Sequence, residues 1–161
     1  MVTKNLNQGC WLTELRDLAI RFSVEGFDPL VAHFWANDAL AAGWCSAGLR
    51  TLASADVRNG REMRSHFEAI LRESAIATPT GQNIPLAYMR YLARAALAEE
   101  IDHQSAVRRF VAVADQNEWN NEHVAAMRQH LNASMRPAGV GLDRWRALMV
   151  DVLSGDLGQG G

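Results

Sequence analysis

The most regular hydrophobic pattern in this sequence runs from residue 86 to residue 116. The stretch has no glycine and no proline, and its apolar residues recur with helical spacing. At about 100° per residue they fall within one arc of about 140°. The polar run from Glu99 to Ser105 interrupts the stretch, which predicts two helices with a joint between them. Their buried face is expected to carry Met89, Leu92, Ala93, Ala96, Leu97, Val107, Phe110, Val111 and Ala114.

Other helices are predicted by the same spacing, with capping residues between them. A first helix is expected to end near Gly26, and Asp28 and Pro29 have the residue types that begin a second. Asn59 is predicted to cap a third helix. Either Asn120 or Asn121 is predicted to cap a later helix. The apolar residues that define the first two helices are Trp11, Leu12, Leu15, Leu18, Ala19, Phe22, Leu30, Val31, Phe34 and Trp35. The positions predicted to be buried in the later helices are Met63, Phe67, Ile70, Leu71, Val124, Met127 and Leu131.

An all-α fold follows from this pattern, because no segment shows the alternation of a half-buried strand. A chain of 161 residues fits one domain. We therefore expect a single-domain irregular bundle of about seven helices over residues 1–153, the last of them near 142–153. Residues 154–161 are expected to form a flexible C-terminal tail.

The segment from Ala39 to Leu49 is apolar around the whole helical circumference. We predict that it continues the second helix to about Ala53. A helix of this kind belongs at the centre of a bundle or beneath a partner. Because the segment has more apolar surface than a peripheral helix needs, a homodimer is one expected use of it. Gly43 and Gly48 would each cost about 1 kcal/mol in a helix interior relative to alanine, so a break or close packing must explain them.

Glu100 and His103 are the first candidate for chemistry, because they are three residues apart within the long apolar pattern. A Glu-x-x-His pair can bind one metal ion, and di-iron four-helix bundles use two such pairs with two further carboxylates. This chain has a single pair, and Glu62 and His66 depart from its spacing. Three interpretations remain open: a polar joint in which Asp102 caps the next helix, a buried hydrogen bond, and a metal or catalytic site.

A second candidate is an arginine-bearing helix face. Arg58, Arg61, Arg64 and Arg72 fall on one side of the predicted third helix, with Glu68 among them. Such a face suits an acidic partner or a phosphate backbone, or it is simply solvated. Trp119 lies in a polar turn, where an indole is either an interface anchor or folds back onto a helix.

Charge and composition narrow the classes of partner. The net charge is −2, and neither half of the chain is basic, so general binding to nucleic acid or to an anionic membrane is not expected. Two isolated cysteines, taken to be buried, and the lack of an apolar leader segment predict a cytoplasmic protein. Arginine far outnumbers lysine, as is typical of a GC-rich bacterial genome.

The sequence thus predicts a small cytoplasmic helical module that binds another protein or itself. It predicts no catalytic residue, no cofactor and no membrane segment. Partner-binding residues are expected among Arg58, Arg61, Arg64, Arg72 and Trp119. The first alternative is a metal-dependent helical-bundle enzyme or metal-binding protein that uses Glu100 and His103. The second alternative is a DNA-binding regulator that uses the arginine face.

Overall fold

The fold is all-α, as predicted. The computed structural model describes residues 5–134 and Ala147, and in this part of the chain there is no strand. None of the described helices is both long and apolar enough to cross a lipid bilayer. A short 3₁₀ turn covers Gly81–Asn83. The α-helices of the described residues are α1 (Asn5–Glu25), α2 (Pro29–Ala41), α3 (Ala47–Ser54), α4 (Gly60–Glu73), α5 (Ile84–Leu97), α6 (His103–Gln116) and α7 (Glu122–Ser134).

The chain divides into two compact units, Met1–Pro79 and Thr80–Gly161. The N-terminal unit contains α1 to α4, and the described part of the C-terminal unit contains α5 to α7. The boundary falls in the loop that the sequence predicts at residues 78–83. A single domain over residues 1–153 stays a prediction. The predicted helix near 142–153 and the tail 154–161 lie outside the described residues, apart from Ala147, which is helical.

The first helix of the N-terminal unit ends where the sequence predicts, and α2 and α4 begin at the predicted capping residues. Helix α1 ends at Glu25, next to Gly26. The Asp28 carboxylate accepts hydrogen bonds from two backbone N–H groups at the start of α2, where Pro29 occupies the first turn. The side chain of Asn59 accepts from the backbone N–H of Glu62 at the start of α4. These local bonds fix where each chain segment enters its helix.

The predicted continuation of the second helix to Ala53 is wrong. Helix α2 ends at Ala41, and Gly43 adopts a left-handed φ of 92°. The N–H of Trp44 donates to the carbonyl of Ala39, and the N–H of Gly43 donates to that of Leu40. This paired arrangement is a Schellman ending, which needs a residue at positive φ and so favours glycine. Ser46 then caps a separate helix, α3.

Much of the segment that connects α2 and α3 is exposed, contrary to the prediction of a helix enclosed at the centre of a bundle. Ala41, Ala42 and Ala47 are exposed rather than central to a bundle. Cys45, expected to be buried, is a free and exposed thiol. Residues 39–49 therefore do not form one buried helix, although most of them are apolar.

The core of the N-terminal unit is an aromatic cluster between α1, α2 and α4. The ring of Phe67 on α4 lies 5.1 Å from that of Phe22 and 6.3 Å from that of Trp35. Phe27, from the turn after α1, packs edge-on against Phe22 at 5.0 Å. Buried aliphatic residues of all four helices complete this core, namely Leu15, Ala19, Ala32, Ala36, Ala39, Leu49, Leu52, Met63, Ile70 and Leu71.

Helix α4 ends without a glycine, although its ending has the same hydrogen bonds as that of α2. Ala75 has a φ of 53°, and the N–H of Ile76 donates to the carbonyl of Leu71 over 2.9 Å. The left-handed conformation costs an L-residue about 1–2 kcal/mol, because Cβ approaches the carbonyl oxygen. Glu99 and Glu118, after α5 and α6, have similar φ angles of 60° and 55°.

Replacing Ala75 with glycine is therefore expected to raise the free energy of unfolding by about 0.5–1 kcal/mol, since glycine adopts this φ without the steric cost. Urea denaturation followed by circular dichroism measures the change. Ala69→Gly is the matched control, because residue 69 lies within α4 and glycine there should be destabilising by a similar amount. A destabilising effect of Ala75→Gly would contradict the left-handed ending.

In the described part of the C-terminal unit, α5 packs against α6 and α6 against α7. Tyr88 of α5 is fully buried and stacks on Phe110 of α6, with the ring centroids 6.4 Å apart. Val124 and Met127 of α7 are buried as predicted, whereas Leu97, expected on the buried face, is 44% exposed because it is the last residue of α5 before the joint. The Asn121 side chain accepts from the backbone N–H of Val124 and begins α7.

Candidate functional site

The structure places Glu100 and His103 in and beside a joint between two helices. Helix α5 ends at Leu97, Glu99 has a left-handed φ, and α6 begins at His103. Glu100 therefore belongs to neither helix, and its side chain is exposed. The two residues do not share the face of one continuous helix, which is the arrangement that a Glu-x-x-His metal site requires.

Asp102 is the residue of this joint with the clearest role. Its carboxylate accepts from the backbone N–H of Ser105 over 2.9 Å and from the Ser105 hydroxyl. These two hydrogen bonds stabilise the charged carboxylate and so lower the pKa of Asp102 below its usual value. The bond from the Ser105 hydroxyl has the larger effect. Asp102 is thus the N-cap of α6, as the joint interpretation predicts.

Replacing Asp102 with asparagine is expected to remove a pH-dependent part of the stability while retaining a capping side chain. Because folding lowers the pKa, the carboxylate stabilises the fold above the unfolded pKa of about 3.9. That contribution is lost as the pH falls through the lower, folded pKa. The melting temperature of the unmodified protein should therefore fall more steeply below about pH 4 than that of Asp102→Asn. A melting-temperature difference that stays constant from pH 7 to pH 3 would contradict the assignment.

The second acid–imidazole pair lies in the N-terminal unit. Oε1 of Glu62 is 3.5 Å from Nε2 of His66, one turn further along α4. Glu62 is exposed and also accepts a hydrogen bond from the Asn59 side chain. Among the described residues, no group of three or more His, Cys, Asp or Glu side chains is arranged to hold a metal ion.

All four predicted arginines are exposed, but only Arg61, Arg64 and Arg72 lie on α4, and Glu68 contacts two of these three. Nε of Arg64 lies 3.7 Å from the Glu68 carboxylate, and Nε of Arg72 donates to the Glu68 carbonyl. Arg58 precedes α4, in a turn where its backbone N–H donates to Asp56. Within the described residues, the guanidinium groups of Arg58 and Arg61 form no ion pair. Those two cations are available to a partner.

Trp119 folds back onto the C-terminal unit and remains half-exposed. Its backbone N–H donates to the carbonyl of Ala114 over 2.8 Å at the end of α6. Its ring lies 6.2 Å from that of Tyr88 and 6.1 Å from that of Phe110. The indole is thus held in place on one side and accessible on the other.

A cleft of about 610 Å³ lies beside this indole, between residues 81–86 and residues 119–122. We call it the Trp119 cleft. Its apolar lining includes Pro85 and Trp119, and its polar lining includes the carboxamides of Gln82, Asn83 and Asn120. No sequence pattern predicts this cleft, because the two segments that form it are more than 30 residues apart.

Helix α2 also has an exposed, mainly apolar surface that the sequence pattern does not predict. Leu30 and Phe34, two of the apolar residues that predict the second helix, are 54% and 63% exposed. At about 100° per residue, Leu30, Phe34, Asn37 and Ala41 lie within an arc of about 60°. We call these four residues the α2 face. The opposite side of the helix enters the core through Ala32, Trp35, Ala36 and Ala39.

The unpaired arginines lie near the start of α2. A Cβ atom placed on Gly60 would be 3.4 Å from Cγ of Pro29, so the beginnings of α2 and α4 are in contact. Leu30 follows Pro29, while Arg61 follows Gly60 and Arg58 precedes it by two residues. The apolar α2 face and two free cations therefore occur at the same end of the N-terminal unit.

Comparison of the chain with protein-family models, with curated proteins and with solved structures finds no match.

Proposed function

We propose that this protein acts by binding another protein through the α2 face. The observation that carries the proposal is the exposure of Leu30 and Phe34, one turn apart, on a helix that has apolar residues on every side. A helix of that composition is normally covered on all sides. Burying a leucine or phenylalanine side chain contributes about 1.5–3 kcal/mol, so these two residues would serve as anchors.

The chemistry of the partner is inferred from the cations beside the face. Arg58 and Arg61 have no carboxylate partner among the described residues. An arginine guanidinium binds a carboxylate with two parallel hydrogen bonds, and polar rims around an apolar centre are usual in protein interfaces. We infer a partner segment with apolar side chains that pack on the α2 face and with Asp or Glu residues near its Arg58 end.

A phosphate backbone is a poorer match to the same arginines. Glu68 lies in the middle of the arginine face, where its carboxylate pairs with Arg64 and its backbone carbonyl accepts a hydrogen bond from Arg72, so an acidic side chain interrupts the face. Nucleic-acid binding depends on several cations that each neutralise a phosphate. Two cations beside an apolar surface fit an acidic protein segment better.

We further propose a cytoplasmic location. A free and exposed thiol such as that of Cys45 persists in a reducing compartment and is readily oxidised elsewhere. Fractionation of the cells that make the protein tests this directly.

Photo-crosslinking tests the binding surface. The photoreactive residue p-benzoylphenylalanine is placed at position 37, between Phe34 and Ala41 on the α2 face, and the full chain is irradiated in its own cells. We expect one discrete adduct with a different protein. Mass spectrometry of the adduct should locate the attachment within a segment that combines apolar residues with Asp or Glu. The double charge reversal Arg58→Glu and Arg61→Glu should reduce the yield of this adduct, whereas Arg108→Glu on α6 should not.

Three outcomes would overturn the proposal. An adduct of two copies of this chain would assign the α2 face to a homodimer. A crosslink to residues 135–161 of the same chain would show that the protein covers the face itself. If the adduct yield is the same after the Arg58 and Arg61 reversal, these arginines do not bind acidic residues of the partner. A probe at Leu97, which is 44% exposed in the C-terminal unit, is the positional control.

A further inference from the structure

We propose that the Trp119 cleft is a second binding site, and that its ligand is a short, uncharged, extended peptide segment rich in proline. The cleft belongs to the C-terminal unit, so the site is separate from the α2 face and the inference goes beyond the proposed function. Its volume of about 610 Å³ lies within the usual range for ligand sites.

The polar groups of the cleft favour a neutral ligand. Gln82, Asn83 and Asn120 each present an exposed carboxamide that forms no hydrogen bond with another described residue. Each carboxamide offers both donors and an acceptor. Among the described residues that line the cleft, none is cationic and Glu122 is the one with a carboxylate. A ligand with unpaired amide groups matches this lining better than an anion or a polycation does.

The shape of the cleft favours a segment of a longer chain. The cleft is broadly open to solvent, whereas small-molecule sites usually bury 70–90% of their ligand. An extended polyproline II segment has no internal hydrogen bonds, so all its carbonyl groups are free to accept from side-chain amides. The Gln82, Asn83 and Asn120 amide groups can each donate to such carbonyl groups.

Trp119 supplies the apolar platform that a proline ring needs. Contacts with Tyr88 and Phe110 hold the indole in position, and the rest of the ring remains accessible. Pro85 and Leu86 extend the apolar lining beside it. Aromatic-lined grooves are the usual receptors for proline-rich segments, which lose little conformational entropy on binding.

A displayed library of random ten-residue peptides tests the proposal on the full chain. Selection against the unmodified protein is followed by counter-selection against the double variant Gln82→Ala and Asn120→Ala, whose altered residues are both exposed. We expect the surviving peptides to be uncharged and to contain proline. Their affinity for the double variant should be reduced about tenfold, as expected for two hydrogen bonds. In NMR spectra, peptide addition should shift the indole N–H signal of Trp119.

The control and the opposing outcomes are defined by the same selection. The charge reversal Arg58→Glu and Arg61→Glu should leave peptide affinity unchanged, which distinguishes failure at this site from failure at the α2 face. Peptides that bind the double variant equally well, selected peptides that are charged, or the absence of any enriched peptide would each overturn the proposal. A shift of the Trp119 signal by maltohexaose, with no peptide enriched, would assign the cleft to a glycan instead.

Discussion

Replacing Phe67 with alanine is expected to lower the free energy of unfolding by about 3–5 kcal/mol. The Phe67 side chain is 3% exposed and touches the rings of Phe22, Phe27 and Trp35, from three different segments. Truncation removes its buried apolar area and leaves a cavity that rigid aromatic neighbours fill only in part. Urea denaturation followed by circular dichroism measures the loss.

Phe34→Ala is the matched control for this prediction. The same residue type is removed from the same unit, but Phe34 is 63% exposed. Its truncation should change the free energy of unfolding by no more than about 0.5 kcal/mol. A loss below about 1 kcal/mol for Phe67→Ala, or similar losses for the two variants, would contradict the placement of the aromatic cluster in the core.

The beginnings of the helices could be predicted from sequence because the signals are local. Asp28, Asn59, Asp102 and one residue of the pair 120–121 are predicted caps, and each accepts backbone N–H bonds within three residues. The bond depends on residue type and on a short separation along the chain. No tertiary contact is needed to predict it.

The ends of the helices were harder to predict, because several of them do not follow residue preference. Ala75, Glu99 and Glu118 adopt the left-handed conformation that usually identifies a glycine. The stretch from 86 to 116 has no glycine or proline, and only its polar run indicated the joint after Leu97. At Gly43 the glycine was present, but the apolar residues around it favoured a continuous helix.

The candidate sites depended on information that one sequence does not contain. Helix α2 has apolar residues on every side, so periodicity could not determine whether Leu30 and Phe34 or Ala32 and Trp35 enter the core. The Trp119 cleft requires residues 81–86 and 119–122 to come together in the folded unit. Arg61, Arg64 and Arg72 could be predicted to share a face because they belong to one helical segment, whereas the ion pair of Arg64 with Glu68 required the structure.

Phe34→Ala is also expected to abolish most partner binding while leaving the fold intact. The side chain lies at the centre of the α2 face, between Leu30 and Ala41. A central aromatic anchor typically contributes at least about 2 kcal/mol to association, which corresponds to an affinity loss of about 30-fold. The yield of the adduct formed from position 37 should therefore fall at least about tenfold under subsaturating conditions.

Leu97→Ala distinguishes the α2 face from exposed apolar residues in general. Leu97 is 44% exposed, close to the 54% of Leu30, but it ends α5 in the C-terminal unit. If the anchor acts through specific contacts, this variant should retain the full adduct yield while Phe34→Ala loses it. Equal losses for the two variants would indicate non-specific hydrophobic association. An unchanged yield for Phe34→Ala would exclude Phe34 as an anchor, because the core of the N-terminal unit does not depend on its side chain.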